Sequence, residues 1–339
     1  MILNSGENTS KLMDMNYRKI RLLEQQDKEY FLDCVDELYA TIEADTAFQV
    51  ERKVLRYSRM KNLLIRLLSK FAFLNRLRPG ASHSSNINFA SIISGDFKLF
   101  LPDAFLTRYN YIYMYDVWPR FHHWIFPLLD FFNIRFVFFS SKQVFEDHIR
   151  KYPQSKCKSM WLPEAIKASD YHFKSYPDKD IDVLEFGRLY EAYHDRIAAP
   201  LQSKGHNHVY QKPGTALLFP DKSSFVRGLA RAKITVCVPS NITHPERAEY
   251  ISTMTLRYLQ AMAAKVLIVG IMPQDMKGLF LYTPIVEIDM ERAAAQLLDV
   301  LENYQQYIPL IERNYEEVVS NHQWQNRWDV MKTKMEVNP

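Results

Sequence analysis

Residues 233–270, KITVCVPSNITHPERAEYISTMTLRYLQAMAAKVLIVG, constrain this chain more than any other stretch, because strand, long polar loop, helix and strand follow one another directly. Ile234, Val236 and Val238 form a short apolar run that stops at Pro239. From Thr253 a helical spacing begins, with Leu256, Leu259, Met262 and Ala263 on one face and Ser252 or Thr253 available as N-cap. The helix runs out near Lys265, and Val266 to Val269 make a second apolar run closed by Gly270. Two strands joined this way are parallel neighbours with a right-handed crossover. Such a unit binds ligands beyond the carboxyl ends of its strands, where a helix N-terminus offers free N–H groups and a positive dipole to phosphate. The helix start, Ser252, Thr253, Met254 and Thr255, is therefore a candidate anion site. The connector from Asn241 to Arg257 is longer and more polar than a minimal one, as functional loops are.

The same alternation extends upstream. Apolar runs at 89–93, 97–101, 109–115, 134–139 and 160–162 alternate with helical spacing around 118–132 and 142–151, which argues for a covered parallel sheet. The run ending at Tyr115 is followed by Asp116, Trp118, Arg120, His122 and His123, ionisable groups just past a strand end. Asp116 reads equally as a helix cap, and the histidine pair lacks further ligands at metal-binding spacing. Residues 163–180 are polar without apolar periodicity and read as a linker, placing one domain at 1–172 and a second at 173–339. With 339 residues, 47% of them hydrophobic, two domains are expected. After the linker, IDVLEFGRLYEAYHDRI gives a strand and then Gly187-Arg188 at the turn into a helix. Gly187 lets backbone approach a ligand and Arg188 offers a bidentate fork to phosphate, although a turn glycine and a solvated arginine fit the pattern too.

Two of these stretches carry a family resemblance. TLRYLQAMAAKVLIVG resembles the nucleotide-sugar half of GT-B glycosyltransferases, in particular the retaining group whose fingerprint is Glu, seven residues, Glu and then Ala-Met-Ala, and the strand with Gly187-Arg188 resembles the opening of that half. Aligned on Ala261-Met262-Ala263, Gln260 stands at the ribose-binding Glu and Ser252 at the Glu that approaches the transferred sugar, so both acids are missing. The resemblance implies an α/β fold of two Rossmann-like domains and a hexosyl transfer with retention. It further implies a UDP- or GDP-sugar donor as substrate with no separate cofactor or metal, and a saccharide or lipid-linked saccharide acceptor in polysaccharide or glycoconjugate synthesis. It assigns the diphosphate to Arg188, Arg257 and the N–H groups of 252–255, and the ribose to Gln260. Glu246 or Glu249 would supply the lost carboxylate, and His122 a sugar contact. Trp324, Arg327 and Trp328 resemble the terminal helix that crosses back onto the first domain. A binding or scaffold protein that kept the fold after losing both acids is the competing expectation, and a sugar-nucleotide epimerase a third.

Charge adds an expectation about location. Between Arg52 and Arg78 nine basic residues (Arg52, Lys53, Arg56, Arg59, Lys61, Arg66, Lys70, Arg76 and Arg78) occur without an acid and interleave with leucines and phenylalanines. We expect a helical extension over 16–78 whose part from about 52 to 78 is a basic amphipathic helix, lying on an anionic membrane surface or packed with its basic face in water. No recognition motif accompanies the charge, so nucleic acid is not expected. Three well-separated cysteines, an N-terminus without an apolar core and the lack of a run of about 20 apolar residues fit a cytoplasmic protein, at most peripheral to the inner face of the membrane.

Overall fold

The computed structural model describes residues 19–25, 33–55, 59–71 and 84–335. The first half is a six-stranded parallel sheet of β1 (Lys19–Gln25), β2 (Gln49–Leu55), β3 (Ser84–Ile93), β4 (Thr107–Tyr115), β5 (Ile134–Phe139) and β6 (Lys158–Trp161), in the order β2-β1-β3-β4-β5-β6. Its connecting helices are α1 (Asp33–Glu43), α2 (Arg59–Phe71), α3 (His122–Phe131) and α4 (Lys142–Lys151). Both faces of the sheet are covered, so its central strands carry apolar side chains toward both, with buried polar exceptions such as Asn88, Ser91 and Asn110. Along β4 the period-two alternation sends Ile112 and Met114 to the core shared with α3 and α4, and Tyr111, Tyr113 and Tyr115 to the opposite core.

The second half is a five-stranded parallel sheet ordered β11-β10-β9-β7-β8, built from β7 (Ile181–Glu185), β8 (His208–Tyr210), β9 (Ala232–Cys237), β10 (Leu267–Gly270) and β11 (Val286–Glu287). Around it lie α5 (Glu191–Ser203), α6 (Lys222–Ala230), the single turns α7 (Ser240–Thr243) and α8 (Pro245–Ala248), α9 (Leu256–Ala263), α10 (Ala293–Glu302) and α11 (Ile308–Asn321). The strand–loop–helix–strand reading holds: β9 and β10 are parallel neighbours, with Ile234 opposite Leu267 and Cys237 opposite Gly270. A Cβ at Gly270 would stand 2.0 Å from the Cys237 carbonyl oxygen, so only glycine closes this strand.

The last helix, α12 (Trp324–Lys334), returns to the first sheet. Trp324 packs edge-on against Tyr113, the indole N–H of Trp328 donates to Asp45 at 2.8 Å, and the Tyr111 hydroxyl donates to the Met335 carbonyl at 2.9 Å. Residues 163–180 are not a solvated tether, because Ile166 and Tyr171 are buried in the second core and Ile166 bridges to Gln323.

Several local expectations are corrected. The 16–78 stretch is not a helical extension, since β1 and β2 complete the first sheet. The charged alternation QVERKVL is that of an edge strand, whose outer row is protected by charge. Arg52 and Lys53 therefore sit on a strand, Arg52 paired with Glu43 and Glu24 and Lys53 with Asp103 at 2.7 Å. The amphipathic helix itself is α2, and Arg56, Arg76 and Arg78 lie outside the described residues. Helix α9 begins at Leu256 with Thr255 in extended backbone as its N-cap, later than the spacing suggests. Asp221 caps α6 and forms a reciprocal box with Ser224.

Candidate functional site

The carboxyl ends of β7 and β9 hold a group of cations. Gly187, at φ +71, turns the chain out of β7 in left-handed backbone that favours glycine, and a Cβ there would stand a tight 3.0 Å from the Arg257 Cδ. Arg257 spends its guanidinium on carbonyls, donating to Phe186 at 3.3 Å, Arg188 at 3.2 Å and Val238 at 3.0 Å. It braces the loop. Arg188, presented by that loop, reaches only the Ser240 hydroxyl, at 3.3 Å, among the described residues. Burial lowers its pKa, the repulsion of Arg247 and Arg257 adds to that, and Asp116 and Glu246 oppose it. His244 is lowered first by burial and then by Arg188. A cationic group held against desolvation and like charge gains most from an anion that enters beside it.

Across from this group stands the end of β4. Asp116, in left-handed backbone at φ 50, lies 3.6 Å from Arg247, whose guanidinium also covers the Trp118 ring with its carbon 4.9 Å from the centroid. Burial raises the Asp116 pKa, and Arg247 and Arg188 restrain the rise. Glu164, a buried residue of the connecting segment, faces the backbone N–H of Leu256 at the start of α9, and burial together with Asp116 pushes its pKa up to about 8. Asp275 accepts the Lys142 N–H at 3.1 Å, and burial pushes its pKa up to about 6. The protein thus supplies its own carboxyl to the first turn of α9, a helix end that the sequence leaves open to a ligand.

The remaining candidates spread out. Ser252 takes its N–H to Gln143 of α4 at 2.6 Å and its hydroxyl to the Gln274 N–H at 3.1 Å, which ties it between the two halves. Thr253 and Met254 are buried, Met254 in the second core, while the hydroxyls of Thr253 and Thr255 have no hydrogen-bond partner among the described residues. Gln260 is buried and donates to the Tyr171 hydroxyl at 2.9 Å. His122 is a packed residue of the first half: it stacks on Phe126, its ring contacts the Val117 carbonyl at 3.2 Å and Asp147 at 3.3 Å, and burial lowers its pKa. Glu246 and Glu249 are exposed, Glu246 in the first turn of α8 beside the Arg188 group and Glu249 at φ 50, ψ −116, a conformation that favours glycine.

A pocket of about 290 Å³ opens next to Gly187, between the ends of β7 and β8 and the start of α6. Phe186, Leu218, Phe219 and Phe225 give it an apolar wall, and Gln211 and Lys222 supply polar ends. Its size and mix suit a flat heterocycle with a few hydrogen-bonding edges. Sequence reasoning missed this wall along with Arg247, Glu164 and Asp275. The signal available was the cluster Leu217, Leu218 and Phe219 inside a segment otherwise read as loop.

No protein-family model matches the sequence, and no curated protein is similar to it in sequence. Solved structures are similar throughout. HepE of Anabaena, solved in complex with UDP and glucose, superposes with a TM-score of 0.58 at 11% identity, over 94% of this chain and 99% of that one. Sucrose-phosphate synthase from Thermosynechococcus elongatus gives 0.56 at 12% identity over 95% and 100%, and a glycosyltransferase from Rickettsia africae gives 0.57 at 10% over 95% and 100%. With two parallel sheets, each covered by helices, and a final helix that returns to the first, the chain has the GT-B fold.

Proposed function

We propose that this protein is a glycosyltransferase that moves a sugar from a nucleoside-diphosphate sugar to a saccharide or lipid-linked saccharide. The observation that carries the reading is Arg188, a half-buried guanidinium with one weak protein partner, set beside Arg247 where the ends of β7 and β9 face β4. In this reading Arg188 and Arg247 receive the donor diphosphate and stabilise its charge as it leaves, Arg257 positions them, and the pocket beside Gly187 takes the base. The likeness to HepE, which binds UDP, supports a uridine nucleotide as first choice and a guanosine nucleotide as second. Retention of anomeric configuration and hexosyl specificity rest on the resemblance carried by residues 255–270, and the anomeric proton coupling of the product decides the first of these.

The acceptor side rests on α2. Met60, Leu63, Leu64 and Leu67 are 80%, 59%, 46% and 46% exposed on one helix that also carries Arg59 and Lys61. An apolar stripe with flanking cations suits an anionic leaflet, where a lipid-linked saccharide would be met. No helix among the described residues is long and apolar enough to cross a membrane.

A non-catalytic reading has its own support, because Ser252 and Gln260 stand in place of both motif acids and each is hydrogen-bonded within the protein. The deciding experiment is a thermal-shift panel of UDP, GDP and their sugars followed by a turnover assay. Stabilisation by about 2.7 kcal/mol at 100 times the dissociation constant, with release of the diphosphate, establishes the enzyme. Binding without turnover selects the scaffold, and no stabilisation by any nucleotide sinks both readings of the crevice.

A further inference from the structure

The second half contains another cluster, one member of which, Glu185, also borders the pocket beside Gly187. Glu185 ends β7, His208 begins the neighbouring β8, and His194 lies on α5 over the same face of the sheet. The His194 Nδ1 is 2.6 Å and the His208 Nε2 2.7 Å from one oxygen, the Glu185 Oε1. The other oxygen, Oε2, is buried and has no hydrogen-bond partner among the described residues. Glu185 is 4% exposed, so a carboxylate has been taken out of water with half of its acceptor capacity unspent. Tyr210 walls the cluster, its ring centroid 4.4 Å from that of His194 and 4.9 Å from that of His208.

We infer that Glu185, His194 and His208 form a binding site for a divalent transition metal of the zinc class. The three ligand atoms lie within 4.8 Å of one another. Ligation at about 2.0–2.2 Å asks for separations of roughly 3.3–3.6 Å between them, a change that side-chain rotation supplies. Two imidazoles with one carboxylate are a borderline-soft set that suits zinc, cobalt or nickel rather than magnesium or calcium. On binding, each imidazole places its proton on the nitrogen that faces away, so the lone pairs of His194 Nδ1 and His208 Nε2 turn to the ion. The Glu185 carboxylate supplies the third bond, and its free Oε2 or a water completes the shell. Desolvation favours the same outcome, because the ion satisfies both oxygens of a carboxylate that the protein alone leaves half-paired. The ion ties β7, β8 and α5 together two residues before Gly187, and so stiffens the base of the loop that presents Arg188.

The site is tested without any sugar nucleotide. The full chain, stripped with a chelator and dialysed, is titrated with Co2+ and followed by its visible d–d absorption, then with Zn2+ as competitor. One equivalent bound, with bands of tetrahedral intensity that Zn2+ bleaches, is the expected result. Glu185→Gln and His208→Gln should each weaken binding at least tenfold, because both keep neutral hydrogen-bonding capacity and remove a ligand. Absence of a stoichiometric cobalt spectrum overturns the site, and so does undiminished affinity in both variants. Should either variant fail to fold by circular dichroism, 15N-detected histidine spectra of the wild type with and without Zn2+ give the answer. Two imidazole nitrogens shifting together support the site, and no shifted imidazole rejects it.

Discussion

The Arg247 guanidinium lies 3.6 Å from the Asp116 carboxylate, an ion pair that joins a single turn of the second half to the end of a strand in the first half. Arg247 repels Arg188 while it attracts Asp116, so a diphosphate arriving between the two arginines would replace an internal pair with a stronger, charge-assisted one. On the proposed reading, nucleotide binding would therefore be linked to the contact between the two halves.

Arg188→Ala should weaken binding of UDP or GDP at least about tenfold, the 1.4 kcal/mol scale of a charge-assisted contact, and leave the melting temperature close to that of the wild type. Calorimetric titration measures the first and a thermal scan the second. Equal affinity in mutant and wild type would remove the diphosphate from this residue.

Arg257→Ala should behave in the opposite way. Its donors hold three carbonyls at the ends of β7 and β9, so truncation leaves partly buried acceptors unpaired and costs roughly 1–3 kcal/mol of stability. Urea unfolding checks this. A variant as stable as the wild type would mean that Arg257 faces the ligand instead.

The two loop acids separate by backbone. Glu249→Gly should raise stability by roughly 1 kcal/mol, because glycine adopts φ 50 without strain, whereas Glu246→Gln should leave stability unchanged. If either carboxylate serves the transfer, turnover falls in that variant alone. Full activity in both leaves the loop with another role.

Glu164 gives the chain a pH dependence that a difference measurement isolates. Its folded pKa, about 8, stands above the ordinary glutamate value of 4.5, so the folded state binds more protons between those limits and stability from this group falls as pH rises through them. Lys179, pushed down to about 7 by burial, and His148, to about 4, titrate in overlapping ranges with the opposite sign, but they are common to both proteins and cancel. The stability of Glu164→Gln relative to wild type should therefore grow from pH 5 to 8 at no more than about 1.4 kcal/mol per unit and then level off. A flat difference would show that Glu164 ionises freely at the start of α9.

On the acceptor side, the protein should co-sediment with anionic vesicles at low salt and less so as salt rises, since screening confines the attraction to about 8 Å at physiological ionic strength. Replacing Leu63, Leu64 and Leu67 together by Ser should abolish sedimentation without unfolding, because all three are exposed. Neutralising Arg59, Arg66 and Lys70 should weaken it. Retention of vesicle binding by the leucine variant would locate the membrane contact elsewhere.

Local pattern determined the parts of this protein whose physics is local. The apolar runs ending at Tyr115, Phe139, Cys237 and Gly270 are strands because a sheet covered on both faces selects predominantly apolar sequence, and the glycines at 187 and 270 mark a left-handed turn that favours glycine and a close approach that requires it. β1 and β2 escaped because an edge strand carries charge at a spacing that a helix can imitate. Which side chains meet was decided only by tertiary structure. Glu164, in a segment that looks like a polar linker, is carried to the start of α9 by the burial of Ile166 and Tyr171, and Arg247 is set against Asp116, more than a hundred residues away, by the way two sheets face each other. Arg257 and Arg188 look alike as letters. Their division into a brace on three carbonyls and a cation bonded to one hydroxyl among the described residues rests on which oxygens the fold places within reach, a long-range arrangement that no spacing along the chain encodes.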